Sequence, residues 1–174
     1  MKNDYFFYLY RLQCNEISSI DVDKFKSILK EYDIEVFSPS IFNLREHSSK
    51  IFIYLFWYLF TWGKYKILYV KKNGLIVHYT HMLPGFFKFP FMVSGDIEIG
   101  PAWTKEEYRG KRIFPAVISY LVQNFKKKNR NFYILIRVNN ISSQRSISHT
   151  DFLKWGSGVK TNIAGIYKVN NYYE

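Results

Sequence analysis

The residues able to do chemistry sit in the middle of the chain. His78 and His81 stand three positions apart, Asp96 and Glu98 two apart, and Arg109, Lys111 and Arg112 surround Gly110. On an extended strand an odd spacing sends two histidines to opposite faces, so at most one of this pair reaches a common pocket. His81 is favoured because it borders the aromatic run at residues 86–91. The even spacing of Asp96 and Glu98 puts both on one face, and burial there raises a carboxyl pKa toward the range useful for accepting a proton. Glu98 is the first candidate base and Asp96 its substitute. The plain alternatives are a surface carboxylate and a structural or solvated histidine.

The stretch Ile99-Gly-Pro-Ala-Trp-Thr-Lys-Glu-Glu-Tyr-Arg-Gly-Lys-Arg-Ile-Phe-Pro115 carries the most information. A strand ends, a basic turn containing glycine follows, and a helix begins, so amide N–H groups at the helix start are free to face an anion such as a pyrophosphate. The neighbouring Arg and Lys side chains add charge-assisted contacts. An ordinary strand-to-helix turn with solvated basic residues is the competing reading. The spacing is not that of a Walker loop, and the four histidines and single Cys14 show no zinc-ligand pattern, so no metal is expected.

Positioning these groups requires a set of alternating elements. Residues 5–12 form a Tyr/Phe-rich strand, and a helix capped by Asp21 or Asp23 runs to Tyr32. A second helix over residues 45–61 stops at Gly63. Residues 66–71 and 75–81 form a hairpin through Asn73-Gly74, the dipeptide that supplies positive φ in a tight turn. Pro84, Gly85 and Pro90 make residues 82–94 an irregular loop whose Phe86, Phe87, Phe89 and Phe91 suggest a binding wall. A strand at 96–103, a helix at 114–127 and a strand at 132–138 follow. Ser142 or Ser143 then opens a short helix to about residue 153, and one or two strands complete the chain from residue 159. The pattern is that of a mixed α/β sheet with helices on its faces.

The apolar run 51–60 spans only about 15 Å as a helix, against the roughly 30 Å of a bilayer core. It reads as a buried core helix without a transmembrane span, with a shallow membrane contact helped by nearby lysines as the alternative. The 174 residues suit one domain over 1–174, and a lone cysteine with no cleavable leader points to the cytoplasm. A net charge of +11 attracts phosphorylated metabolites, nucleic acid or anionic lipid without choosing among them. Lys126, Lys127, Lys128 and Arg130 are accounted for by the end of a helix, where positive charge is favourable against the dipole; a nucleic-acid patch is the alternative, without a DNA- or RNA-binding motif to accompany it.

The segment Tyr108-Arg109-Gly110-Lys111 between strand and helix resembles the GNAT acyltransferase superfamily, in which an Arg-x-x-Gly-x-Gly/Ala loop grips the pyrophosphate of coenzyme A through backbone amides. Arg112 stands where the second motif glycine usually lies, and Phe114 replaces the terminal Gly or Ala. Asn140-Ile-Ser-Ser143 resembles the family segment beside the coenzyme arm, although Ile147 replaces the usual proton-donating Tyr and Asp151 the usual Gly. Helix capping is the other explanation of Asn140 and Ser143. The runs 78–84, 89–92, 96–101 and 164–168 look like small members associated with bacterial surface-polysaccharide synthesis.

The resemblance implies a V-split sheet with acyl-pantetheine in the split and acetyl-CoA as cosubstrate. Ala102, Trp103 and Thr104 would orient the acyl carbonyl, and Arg109, Gly110, Lys111, Arg112, Ile113, Phe114, Asn140 and Ser143 would hold the cofactor. Glu98 would then serve as general base toward an amine, directly or through water, with His81 beside it. The acceptor expected is a nucleotide-linked amino sugar, with a tRNA or protein amine as the alternative, and a homodimer is compatible with the sequence. A basic module with the same fold and weak catalysis is the non-enzymatic alternative.

Overall fold

The protein is described by a computed structural model that covers residues 6–14, 27–40, 51–162 and 165–173. The expected caps at Asp21 and Asp23 and the first part of the second helix lie outside these residues. Eight strands form one sheet: β1 (Phe6–Gln13), β2 (Asp33–Phe37), β3 (Lys66–Lys72), β4 (Leu75–Pro84), β5 (Ile97–Thr104), β6 (Asn131–Arg137), β7 (Leu153–Lys160) and β8 (Tyr167–Tyr172). Their order is β2-β3-β4-β5-β6-β1-β7-β8, and every neighbouring pair is antiparallel except β5 and β6. Among the described residues the helices are α1 (Ile51–Phe60), α2 (Ile113–Phe125) and α3 (Ile141–Ile147), with further helical residues at 27–29 and a 3-10 turn at Glu106–Tyr108.

The β3–β4 hairpin turns as its sequence dictates, with Asn73 and Gly74 both at positive φ (51° and 77°). Strand β2, which pairs with β3 from Asp33↔Lys71 to Phe37↔Ile67, was not expected from sequence. Asp33, Ile34, Glu35 and Val36 do alternate charged and apolar, but the run is only five residues long and three residues separate it from helical residues 27–29, so it does not stand out as a strand. The short helix α3 ends at Ile147, and β7 begins at Leu153, earlier than the pattern suggested.

Helices cover both faces of the sheet. On one face α2 buries Ile113, Ala116, Val117, Leu121 and Val122 against Leu68, Val70, Val77, Ile99 and Phe132. On the other, Tyr54 of α1 joins Phe7, Tyr65, Ile67, Tyr69, Leu83, Phe89 and Tyr133 in an aromatic second core. The fold is therefore a mixed sheet with α2 and α3 on one side and α1 on the other.

Candidate functional site

The parallel pair β5 and β6 is joined only at Ile97↔Phe132 and Glu98↔Tyr133. Past Glu98 the strands part, and a β-bulge lies where they do so. In the β4–β5 ladder Met82 faces Ile99 and Thr80 faces Ala102, so Gly100 and Pro101 together oppose the single residue His81. An extra residue bends a strand and increases its twist, which turns β5 away from β6. Gly100 meets the backbone demand, since its φ of +152° is one that L side chains rarely adopt.

Asp96 fastens the closed end of this split. Its carboxylate accepts bonds from the Val93 amide (3.0 Å), the Asn131 amide (2.9 Å) and Asn131 Nδ2 (3.1 Å), tying the loop before β5 to the first residue of β6. Arg130 reinforces the same end by donating to the carbonyls of Gly95 and Phe125. Asp96 shares a face with Glu98, as expected, but with these bonds in place it is a clamp and not a substitute base.

At the open end, Lys105 N–H donates to Val77 O (2.9 Å). The two-residue alternation of an antiparallel ladder then directs the Trp103 backbone toward Tyr79 and leaves those of Ala102 and Thr104 facing the split. Of the three acyl-orienting amides expected here, the ladder thus leaves two available. The Arg109 guanidinium bonds Thr104 O (Nε, 3.2 Å), bracing the turn that follows against the end of β5.

Beyond Arg109, whose own amide is bonded to Glu106 O, the backbone N–H groups at residues 110–114 donate to no acceptor among the described residues. Gly110 (φ 76°) and Arg112 (φ 58°, ψ 23°) both take the left-handed conformation. Arg112 thus adopts the shape for which glycine is usually chosen, at a cost of about 1–2 kcal/mol. The side chains of Arg109, Lys111 and Arg112 are exposed around these amides, with Lys111 Nζ 4.7 Å from the Tyr108 ring. Ile113 is buried in the core, and Phe114 packs toward His78 at 6.0 Å, so the side chains of these two face the interior while their amides stay undonated.

Strand β6 leads into α3, so the starts of α2 and α3 both follow strands that end on the same side of the split, and the two helices touch. Asn140 Oδ1 accepts the Ser143 amide (3.1 Å), a bond that caps the start of α3. Ile147 is fully buried, so no phenol is offered from that position.

Glu98, the last β5 residue paired with β6 before the split, points to the face opposite α2. It is 4% exposed, its Oε2 has no hydrogen-bond partner among the described residues, and burial pushes its carboxyl well above the usual carboxylate range. An orphaned buried acid of this kind is costly and is the sort of group found at functional sites.

Beside the bulge a cavity of about 200 Å³ opens on that same face, lined by Tyr54, Trp57, Tyr65, Tyr79, His81 and Pro101 with Ile67, Tyr69 and Leu83. Leu83 is the cross-strand partner of Glu98, which places the carboxyl one strand from the cavity. His81 lines it, and the Tyr65 hydroxyl is hydrogen-bonded to His81 Nδ1 with the rings stacked at 5.7 Å. Burial and the neighbouring tyrosines hold the Tyr65 phenol well above its usual range, so it keeps its proton.

His78 points the other way. Fully buried on the α2 side, it bonds the Thr104 and Thr80 hydroxyls (2.8 and 2.7 Å), and desolvation pulls its pKa down to about 4. The two histidines therefore do occupy opposite faces.

Sequence reasoning missed the tyrosine and tryptophan lining. The loop phenylalanines expected to form a binding wall stand behind it: Phe86 packs on Trp57 at 5.5 Å, and Phe89 is core. The signal was available in the alternation of Tyr65, just before β3, with Ile67 and Tyr69 on β3, against Tyr79 and His81 on β4. Among the described residues no cluster of His, Cys, Asp and Glu could hold a metal.

No protein-family model and no curated protein matches the sequence. Solved structures do match in fold. A GNAT-family acetyltransferase from Colwellia psychrerythraea aligns with a TM-score of 0.59 at 10% identity, over 98% of this chain and 56% of that one. A Novosphingobium aromaticivorans protein assigned to the same family gives 0.52 at 13% identity, over 87% and 62%. The GCN5-related glucosamine N-acetyltransferase region of a fungal multi-domain β-N-acetylglucosaminidase gives 0.56 at 10% identity, over 88% and 20%. This chain thus spans less than two thirds of the length of each of these proteins. The mixed eight-stranded sheet with helices on its faces is thus a GNAT-like fold.

Proposed function

We propose that this chain is an acyl-CoA-dependent N-acyltransferase, with acetyl-CoA as donor and the amine of a nucleotide-linked amino sugar as acceptor. The observation that carries the proposal is the parting of β5 and β6 beside a run of undonated amides at residues 110–114. A coenzyme pyrophosphate satisfies those amides, and a pantetheine arm can add to the open β5 edge as an extra strand would. Arg109, Lys111 and Arg112 neutralise phosphate charge, and Ala102 and Thr104 orient the acyl carbonyl. Asn140 and Ser143 flank the coenzyme arm.

Glu98 accepts the amine proton, directly or through water, because burial has lifted its pKa toward the working range. His81 and the tyrosines hold the acceptor in the adjoining cavity. The amino-sugar acceptor and a role in surface-polysaccharide synthesis rest on the sequence resemblance. The fungal glucosamine N-acetyltransferase region with the same fold supports the first of these.

A thermal-shift series with acetyl-CoA and other acyl-CoAs tests the donor site, since a ligand bound only by the folded state at 100 times its Kd stabilises by about 2.7 kcal/mol. Thiol release on adding nucleotide-linked amino sugars tests the acceptor. Neither a shift nor thiol release with any of them would end the proposal. The charge of +11 favours a second reading, in which the amine belongs to a charged tRNA. RNA retention that falls steeply with salt would select it.

A further inference from the structure

Helix α1 carries aromatic residues on two faces. Tyr54 and Trp57 turn inward to the cavity. Phe52, Phe56, Leu59 and Phe60 recur at helical spacing on the outside, where Phe52 is 87% and Leu59 61% exposed. Trp62, just past the helix end at φ 52°, is 90% exposed, and Phe87 from the loop before β5 continues the patch. Ring centroids of Phe56 and Phe60 lie 4.3 Å apart, and those of Phe60 and Phe87 6.0 Å, so these three rings form one continuous surface with exposed Phe52, Leu59 and Trp62 on the same helix and just past its end. Continuous exposed apolar surface of this kind marks an interaction site.

Charge identifies the occupant. Residues 51–95 contain five lysines and no Asp or Glu; Lys71 and Lys72 are ion-paired to Glu35 and Glu31 and Lys66 bonds Ser38, which leaves Lys64 and Lys88 as the cations next to the patch. Exposed Lys64 follows Trp62 by two positions, and Lys88 adjoins Phe87 with its ammonium 5.1 Å from the Trp57 ring. Burial, and after it the nearby Lys160 charge, hold Lys88 below the usual lysine range, a setting that welcomes an anion. Phe, Leu and Trp rimmed by lysine and free of carboxylates is the chemistry of a helix lying in a headgroup layer. No helix among the described residues is long and apolar enough to cross a membrane, so the contact is a lateral one.

We propose that the outer face of α1, with Trp62 and Phe87, docks on an anionic lipid surface while Lys64 and Lys88 meet the lipid phosphates. The inference is independent of the acyl-transfer reading.

The test is co-sedimentation of the whole chain with vesicles of phosphatidylcholine alone and of phosphatidylcholine with about one third phosphatidylglycerol, at low and high salt. Binding is expected only to the anionic vesicles, and weaker at high salt. Trp62→Ser with Phe87→Ser should lower partitioning at least about tenfold, and Trp62→Ser alone by a smaller factor, because this side chain touches little else. Removing more charge elsewhere, with Lys126, Lys127 and Lys128 all changed to Gln, should leave binding within about twofold. Wild-type protein that stays in the supernatant, or an equal loss in the triple Gln variant, overturns the proposal. So does a dimer in light scattering that the double Ser variant abolishes, since a second copy would then be what covers the patch.

Discussion

Changing Glu98 to Gln tests the buried carboxyl through its own titration. Burial raises its pKa well above the ordinary value of 4.5, whereas the unfolded chain titrates near that value. Below pH 4.5 both states hold the proton and the group's contribution to stability is fully present. As pH rises the unfolded chain releases its proton first, so this contribution is lost progressively until pH passes the folded pKa. Each pH unit within that window removes about 1.4 kcal/mol, from a total stability on the order of 5–15 kcal/mol. The Gln variant has nothing to titrate there. Its stability relative to wild type should therefore climb by about 1.4 kcal/mol per pH unit above pH 4.5 until the folded pKa is reached. An unpaired Gln amide adds a constant penalty of about 1–3 kcal/mol, which displaces the curve and leaves its slope alone. His78 titrates in an overlapping range with the opposite slope, and the difference between the two proteins cancels it. Urea unfolding followed by tryptophan fluorescence at a series of pH values supplies the measurement. Parallel curves for the two proteins above pH 4.5 would refute the assignment of a buried acid with a raised pKa, whatever the variant does to turnover.

Three further outcomes are expected. In the Glu98→Gln background, stability should fall by about 3 kcal/mol as pH drops from 6.5 to about 4, because folded His78 resists protonation until its lowered pKa is reached; adding His78→Asn should flatten that limb of the same urea series. Asp96→Ala removes three hydrogen bonds at the closed end of the split and should cost about 2–4 kcal/mol in urea unfolding; hydrogen exchange should rise first in the loop before β5 and the start of β6. Arg112→Gly should leave the Tm nearly unchanged, since relief of the left-handed strain is offset by greater unfolded-state freedom, whereas Arg112→Val should lower stability by about 1–2 kcal/mol in the same thermal melts.

The elements that announced themselves in sequence were those with a strong local cause. Asn73-Gly74 dictates its turn, and the apolar face of α2 has a clear helical period. What stayed hidden depends on pairing between distant segments. β2 is a strand because β3 offers it an edge, and β7 begins at Leu153 because β1 pairs there through Arg11. The cavity is hidden for a similar reason: its rings come from α1, β3 and β4, and only the register that sets Tyr69 against Tyr79 and Ile67 against His81 brings them together. The opposite orientations of His78 and His81 were readable because strand alternation is a local rule, but which face held a cavity was not.

Gly100-Pro101 shows how a local signal can be present and still be read too coarsely. A proline inside a strand pattern belongs at an edge or a bulge, because it cannot donate to a ladder, and a preceding glycine adds the backbone freedom a bulge requires. Here both conditions are met at once: β4 gives these two residues a single partner, and β6 has already let go of β5 two residues earlier. The dipeptide therefore predicts more than a local kink. A bulge bends its strand and increases the twist, and with β4 still paired through Thr104 the neighbour released here is β6. The opening in the sheet, the exposed edge at Ala102 and Thr104, and the placing of His81 opposite the bulge all follow from two residues whose chemistry forbids a regular strand.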